Sequence, residues 1–128
     1  MDNNSFSVSI LLPQQIELNK EFTITAYLKN ESKQDYAIES RQHIFYYLIK
    51  DSTGKGINSI VLPDMGVARI FPGSETITEK YTYKITEPGV YSVSAVAEFT
   101  VGEGENRNGY KIETEPGKLE VIRKTDNQ

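Results

Sequence analysis

Phe22-Thr23-Ile24-Thr25-Ala26-Tyr27-Leu28-Lys29 decides the fold class. Phe22, Ile24, Ala26 and Leu28 occupy alternate positions, with Thr23, Thr25, Tyr27 and Lys29 between them. A period of two belongs to a strand with one face on a core and the other toward water. The polar run Asn30-Glu-Ser-Lys-Gln-Asp35 closes it. Working outward, Phe6-Ser-Val-Ser-Ile-Leu-Leu12 alternates in the same way, and residues 13–20 read as a link. Downstream, Tyr36-Ala-Ile38 is a weaker extended piece, and His43-Ile-Phe-Tyr-Tyr-Leu-Ile-Lys50, apolar on both faces, reads as a central strand. Asp51-Ser-Thr-Gly-Lys-Gly56 supplies a turn.

The pattern continues to the end of the chain. Residues 57–62 and 67–71 read as short strands on either side of Pro63-Asp-Met-Gly66. After Phe71-Pro-Gly-Ser74, Ile77, Tyr81, Tyr83 and Ile85 share one side, and Thr76, Thr78, Lys80, Thr82 and Lys84 the other. The turn Glu87-Pro-Gly89 leads into Tyr91-Ser-Val-Ser-Ala-Val-Ala-Glu-Phe-Thr-Val101. Residues 102–109 form a polar loop, and residues 110–114 and 119–122 complete a last strand or strand pair around Pro116-Gly117. The tail, residues 124–128, reads as mobile. Regular strands separated by turn signals predict an all-β protein, an Ig-like antiparallel β-sandwich of about seven to nine strands. Glu87-x-Gly89-x-Tyr91-x-Val93 fits a tyrosine corner, in which the phenol bonds back to the backbone before its strand.

A chain of 128 residues, 38% hydrophobic and 25% charged, suffices for one domain over residues 1–128, ordered over about 6–123. Fourteen basic against eighteen acidic residues give a net charge of −4 without a basic stripe, which argues against nucleic acid as a partner. The longest purely apolar run, Ile44-Phe-Tyr-Tyr-Leu-Ile49, falls far short of the roughly 18–20 residues a membrane-spanning helix needs. Compartment stays open: a cytosolic start and a chain whose Met1 replaces a removed signal segment read alike.

Catalytic parts are few. Without cysteine there is no thiol nucleophile and no thiolate metal site. His43, the single imidazole, has no Gly-x-Ser-x-Gly elbow to serve and reads as a structural or surface residue. Glu113 and Glu115, about 6–7 Å apart if both lie on a strand, match the separation of glycosidase carboxylates, but their terminal setting favours solvated charge. Glu103 and Glu105 repeat the spacing in the polar loop without the ligand order of a calcium site. Gly54-Lys55 lacks the spaced glycines and following helix of a phosphate loop. Tyr81 and Tyr83 could form a platform for sugar or peptide, but their phase with Ile77 and Ile85 favours packing. The expectation is a protein that is not an enzyme and carries no cofactor or metal.

Five pieces in order, Leu28-Lys-Asn-Glu-Ser32, residues 42–45, residues 51–55, Phe71-Pro-Gly-Ser-Glu75 and Glu87-Pro-Gly-Val-Tyr91, carry a resemblance over residues 22–99. The chain resembles the intracellular proteinase inhibitor (BsuPI) family of Bacillus-type bacteria, small Ig-like β-sandwiches. It departs where family members often carry a tryptophan, offering Tyr81 or Tyr83 instead, and continues past Phe99 with an extra loop and strand. The resemblance implies a protein-binding module that inhibits a serine protease by occluding its surface. Such a module needs a pre-organised protruding segment. Leu62-Pro-Asp-Met-Gly-Val-Ala-Arg69 offers apolar and basic side chains and a stiffening proline, so the expected partner-binding residues are Pro63, Asp64, Met65, Gly66, Val67, Ala68 and Arg69. The alternative is an exported or lipoprotein-anchored interaction module of the bacterial cell envelope that inhibits nothing.

Overall fold

Alternation in the sequence becomes nine strands in the computed structural model, which describes residues 5–102 and 104–123. They are β1 (Phe6–Leu11), β2 (Gln15–Glu17), β3 (Glu21–Asn30), β4 (Tyr36–Lys50), β5 (Val67–Phe71), β6 (Thr76–Lys84), β7 (Gly89–Val101), β8 (Asn108–Glu113) and β9 (Gly117–Ile122). One sheet has the order β1-β3-β6, all antiparallel. The other runs β2-β9-β7-β4-β5, with β8 beside the C-terminal half of β7. The expected Ig-like sandwich is therefore the observed fold. Among the described residues one ladder is parallel, joining β2 to β9.

Between the sheets, Phe22, Ile24, Ala26 and Leu28 of β3 meet Ile38, Phe45, Tyr47 and Ile49 of β4, Val93, Ala95, Ala97 and Phe99 of β7, and Leu119 and Val121 of β9. All are buried, each large apolar side chain contributing roughly 1.5–3 kcal/mol. Tyr91 donates to the Glu87 carbonyl at 2.8 Å, completing the tyrosine corner. Ile77, Tyr81 and Tyr83 sit half-buried on the inner face of β6, while Thr76, Thr78, Lys80, Thr82 and Lys84 are exposed.

Two turn motifs far apart in sequence meet at Asn30, a fully buried amide. Its Nδ2 lies 2.8–3.2 Å from the carbonyls of Gln34, Phe71 and Pro72, and its Oδ1 accepts from the amide and hydroxyl of Ser32. Gly73 fits there because a Cβ would come within 2.4 Å of the Lys33 backbone.

Three readings change, and one open alternative is decided. Residues 13–20, read as a link, include β2, whose three residues gain their partner 105 positions away. Residues 36–38 and 43–50 are one strand of 15 residues. The last strand or strand pair is a pair, β8 and β9, separated where Thr114 turns inward and its hydroxyl accepts from the Ala95 amide. Residues 57–62 are not a strand. The mobile tail expected at 124–128 lies outside the described residues.

Candidate binding surface

Strand β4 pairs with β7 along most of its length, but Ser40 faces Phe99 and Phe45 faces Ala97. The four residues Arg41, Gln42, His43 and Ile44 therefore stand opposite Glu98 alone, a large bulge. Gln42 and His43 are pushed into solvent while Ile44 plugs back into the core. The bulge frees backbone donors, and Glu79 on β6 reaches across from the other sheet to take them. Its two carboxylate oxygens accept from the amides of Ile44 and Phe45, each at 3.0 Å. These are charge-assisted bonds, roughly twice as strong as neutral ones.

Residues 57–66 return along the outer edge of β4. Four anchors hold them in an antiparallel sense. Ile57 donates to the Ile49 carbonyl at 2.8 Å. Asn58 accepts from the Ile49 amide and donates to the Tyr47 carbonyl, at 3.0 and 2.8 Å. Arg41, paired with Glu98 at 2.8 Å, donates through Nε to the Pro63 carbonyl at 2.7 Å. Gly66 donates to Ser40 at 3.1 Å. Between the anchors no ladder forms: side chains hold the edge, Glu79 at the Phe45 amide and Asn58 at the Ile49 amide and the Tyr47 carbonyl. Residues 59–62 make no hydrogen bond to any described residue. Ile60, Val61 and Leu62 are 41%, 83% and 44% exposed. An extended backbone with open hydrogen-bonding groups and apolar side chains is thus held at both ends on the surface.

Beneath it lies a cavity of about 280 Å³, walled by Phe45, Tyr47, Tyr81, Ile60 and Leu62, with Glu79 at its side. Tyr47 stacks on Tyr81 at 4.7 Å between centroids, and Tyr81 on Tyr83 at 5.9 Å. Tyr83 donates to the Ile57 carbonyl at 2.9 Å, so the tyrosine stack also supports the anchored segment. The Tyr47 hydroxyl is buried with no hydrogen-bond partner among the described residues. Burial, then the charge of Glu79, pushes its pKa well above the ordinary tyrosine value.

The residues singled out from the sequence are distributed as follows. Pro63, Asp64 and Gly66 are exposed in the connection and Met65 is half-buried there, while Val67, Ala68 and Arg69 belong to β5. Val67 and Ala68 are exposed. Arg69 turns inward, its Nη2 3.3 Å from both the Ser40 hydroxyl and the Gln42 carbonyl. An inward-pointing charge of this kind discourages edge-to-edge pairing. His43 is exposed on the bulge, and Asp51 is used up in its own turn, accepting from Thr53 and Lys55, which lowers its pKa. Glu113 accepts from Ser94 at 2.8 Å, and Glu115 is exposed beyond the end of β8. Of the loop pair, Glu105 is exposed and Glu103 lies outside the described residues. Among the described residues no three His, Asp or Glu side chains gather as a metal site. Sequence reasoning missed Glu79, Asn58 and Arg41. The signal for Glu79 was present: an acid in phase with Ile77, Tyr81 and Tyr83 on an inward face.

The chain matches no protein-family model and no curated protein. Solved structures do resemble it. The CARDB domain of the PF1109 protein from Pyrococcus furiosus, described in complex with di-metal ions, aligns at a TM-score of 0.57 with 17% identity, over 93% of this chain and 94% of that one. The putative ApaA protein from Bordetella pertussis aligns at 0.61 with 14% identity, over 93% and 95%. At such identities the likeness is one of fold, an Ig-like β-sandwich spanning nearly the whole chain.

Proposed function

We propose that this chain is a non-enzymatic protein-binding module that engages its partner through residues 59–63, and that the partner is a serine protease whose cleft the segment occludes. One observation carries the binding reading: four consecutive residues, Ser59 to Leu62, with no hydrogen bond to any described residue and with three exposed apolar side chains, clamped at both ends by Asn58 and by Arg41. Main-chain groups of an extended segment give affinity by strand-like pairing, and alternate side chains give specificity. Clamping reduces the conformational entropy lost on association. The protease assignment draws on the resemblance to the intracellular proteinase inhibitors. Pro63 and Val67, both within the stretch expected from the sequence, continue the exposed apolar surface.

The test is a titration of serine proteases with the purified chain, following cleavage of a peptide substrate and the mass of the chain. A subtilisin-type enzyme is included beside elastase, chymotrypsin and trypsin types. Saturable loss of activity with an intact chain is the expected result. Full activity of every protease at large excess, or simple digestion of the chain, overturns the inhibitor assignment.

A further inference from the structure

We infer that Val61 is the side chain offered to the partner's main specificity pocket, and that the partner is a serine protease whose pocket is small and apolar. The inference rests on the inhibitor reading above and adds a residue and a protease class to it. Exposure along the segment alternates as in an extended chain: all three of Ile60, Val61 and Leu62 border the cavity, but Ile60 and Leu62 are more than half covered, whereas Val61 between them is 83% exposed. Val61 is the most exposed of the large apolar residues in the described chain and sits midway between the Asn58 and Arg41 clamps. A β-branched side chain is stiff at its first torsion, so seating it in a pocket costs little rotamer freedom.

The chemistry around Val61 selects among pockets. Ile57-Asn-Ser-Ile-Val-Leu-Pro63 carries no charge, and Asp64 follows it. A pocket with an acid at its base needs a cation, and the flanking ones along the chain are Lys55, in the turn before the Ile57 and Asn58 anchors, and Arg69, which is turned onto Ser40 and Gln42. A deep slot for an aromatic ring is left underfilled by valine, and the larger Leu62 leans toward the cavity instead. A shallow apolar pocket of the elastase kind fits the side chain that is presented.

The experiment compares the unaltered chain, Val61→Lys, and Leu11→Ser as a control in β1 of the other sheet, against elastase-, chymotrypsin- and trypsin-type proteases. Val61 makes no hydrogen bond to any described residue and is solvent-exposed, so each variant's fold is checked by thermal melting and is expected to be unchanged. The unaltered chain is expected to inhibit the elastase type best. Val61→Lys should weaken that inhibition about 100-fold and shift preference toward the trypsin type, while Leu11→Ser changes neither. Inhibition of the elastase type that survives Val61→Lys, or a preference of the unaltered chain for another pocket class, overturns the inference while leaving the inhibitor reading in place. Failure to inhibit any of the proteases removes that reading itself, and the inference with it.

Discussion

The two ends of β4 have the same strand geometry and opposite surroundings. Over residues 38–40 the strand is paired on both edges, with β7 on one side and β5, which also pairs residues 36 and 37, on the other. Below this end Phe6, Phe71, Phe99 and Tyr110 form a closed ring cluster with centroids 5.1–5.8 Å apart. Over residues 45–49 only β7 is paired, the second edge is touched by the Asn58 clamp, and the aromatic stack below is half-buried. Residues 59–62 run past this second end without joining it. The difference lies in the bulge and in Glu79: where backbone donors are taken by a side chain from the opposite sheet, the next segment cannot complete the ladder. An apolar stretch that would be an ordinary edge strand is thereby kept extended and exposed.

The contrast breaks most severely at the closed end. Phe71→Ala removes a fully buried ring that stacks on Phe6 and leaves a void beneath β5. A loss of about 3–5 kcal/mol is expected in denaturant unfolding, enough to threaten the fold. A loss under about 1 kcal/mol would mean that this end is as loosely filled as the other. The next effect in size tests the cause of the open end. Glu79→Ala strands the amides of Ile44 and Phe45. Stability should fall by about 1–3 kcal/mol, with faster hydrogen exchange at those two amides. Unchanged exchange there would show that the carboxylate does not hold the bulge.

Most of the fold was legible because burial of alternate side chains leaves a direct trace: Phe22 to Leu28 and Tyr91 to Val101 lie on the faces their spacing assigns. The tyrosine corner was legible because one hydroxyl needs one local carbonyl. The candidate surface was not, for a different reason. Its shape depends on a bulge that no local pattern marks and on a carboxylate 34 positions from the amide it caps. By spacing alone residues 57–62 are strand-like, as read, but side chains occupy the edge groups a ladder would need: Glu79 holds the Phe45 amide, and Asn58 the Ile49 amide and the Tyr47 carbonyl. Arg69 shows the same blind spot. A basic side chain after an exposed loop suggests outward display, yet its strand phase turns it onto Ser40.

The smallest expected effect has the opposite sign. Tyr47 has a buried hydroxyl without a partner among the described residues, in the wall of the open end, so it carries a desolvation cost that no bond offsets. Tyr47→Phe retains the stacking on Tyr81 and removes that cost, so a gain of up to about 1 kcal/mol is expected at neutral pH. The pH dependence follows from the raised pKa. An unfolded tyrosine ionises near pH 10, whereas burial and the charge of Glu79 keep the native Tyr47 protonated above that. The native state then binds the proton more tightly than the unfolded state. Stability from this linkage is fully present below about pH 10 and is lost as pH rises from there through the higher native value. Tyr47→Phe lacks it, so between roughly pH 9 and 11 the variant should lose less stability than the unaltered chain, and their difference isolates Tyr47 from the other tyrosines. A variant destabilised by more than about 1 kcal/mol at neutral pH would mean that the hydroxyl is bonded in the native protein. The open end of β4 would then be as fully satisfied as the closed one.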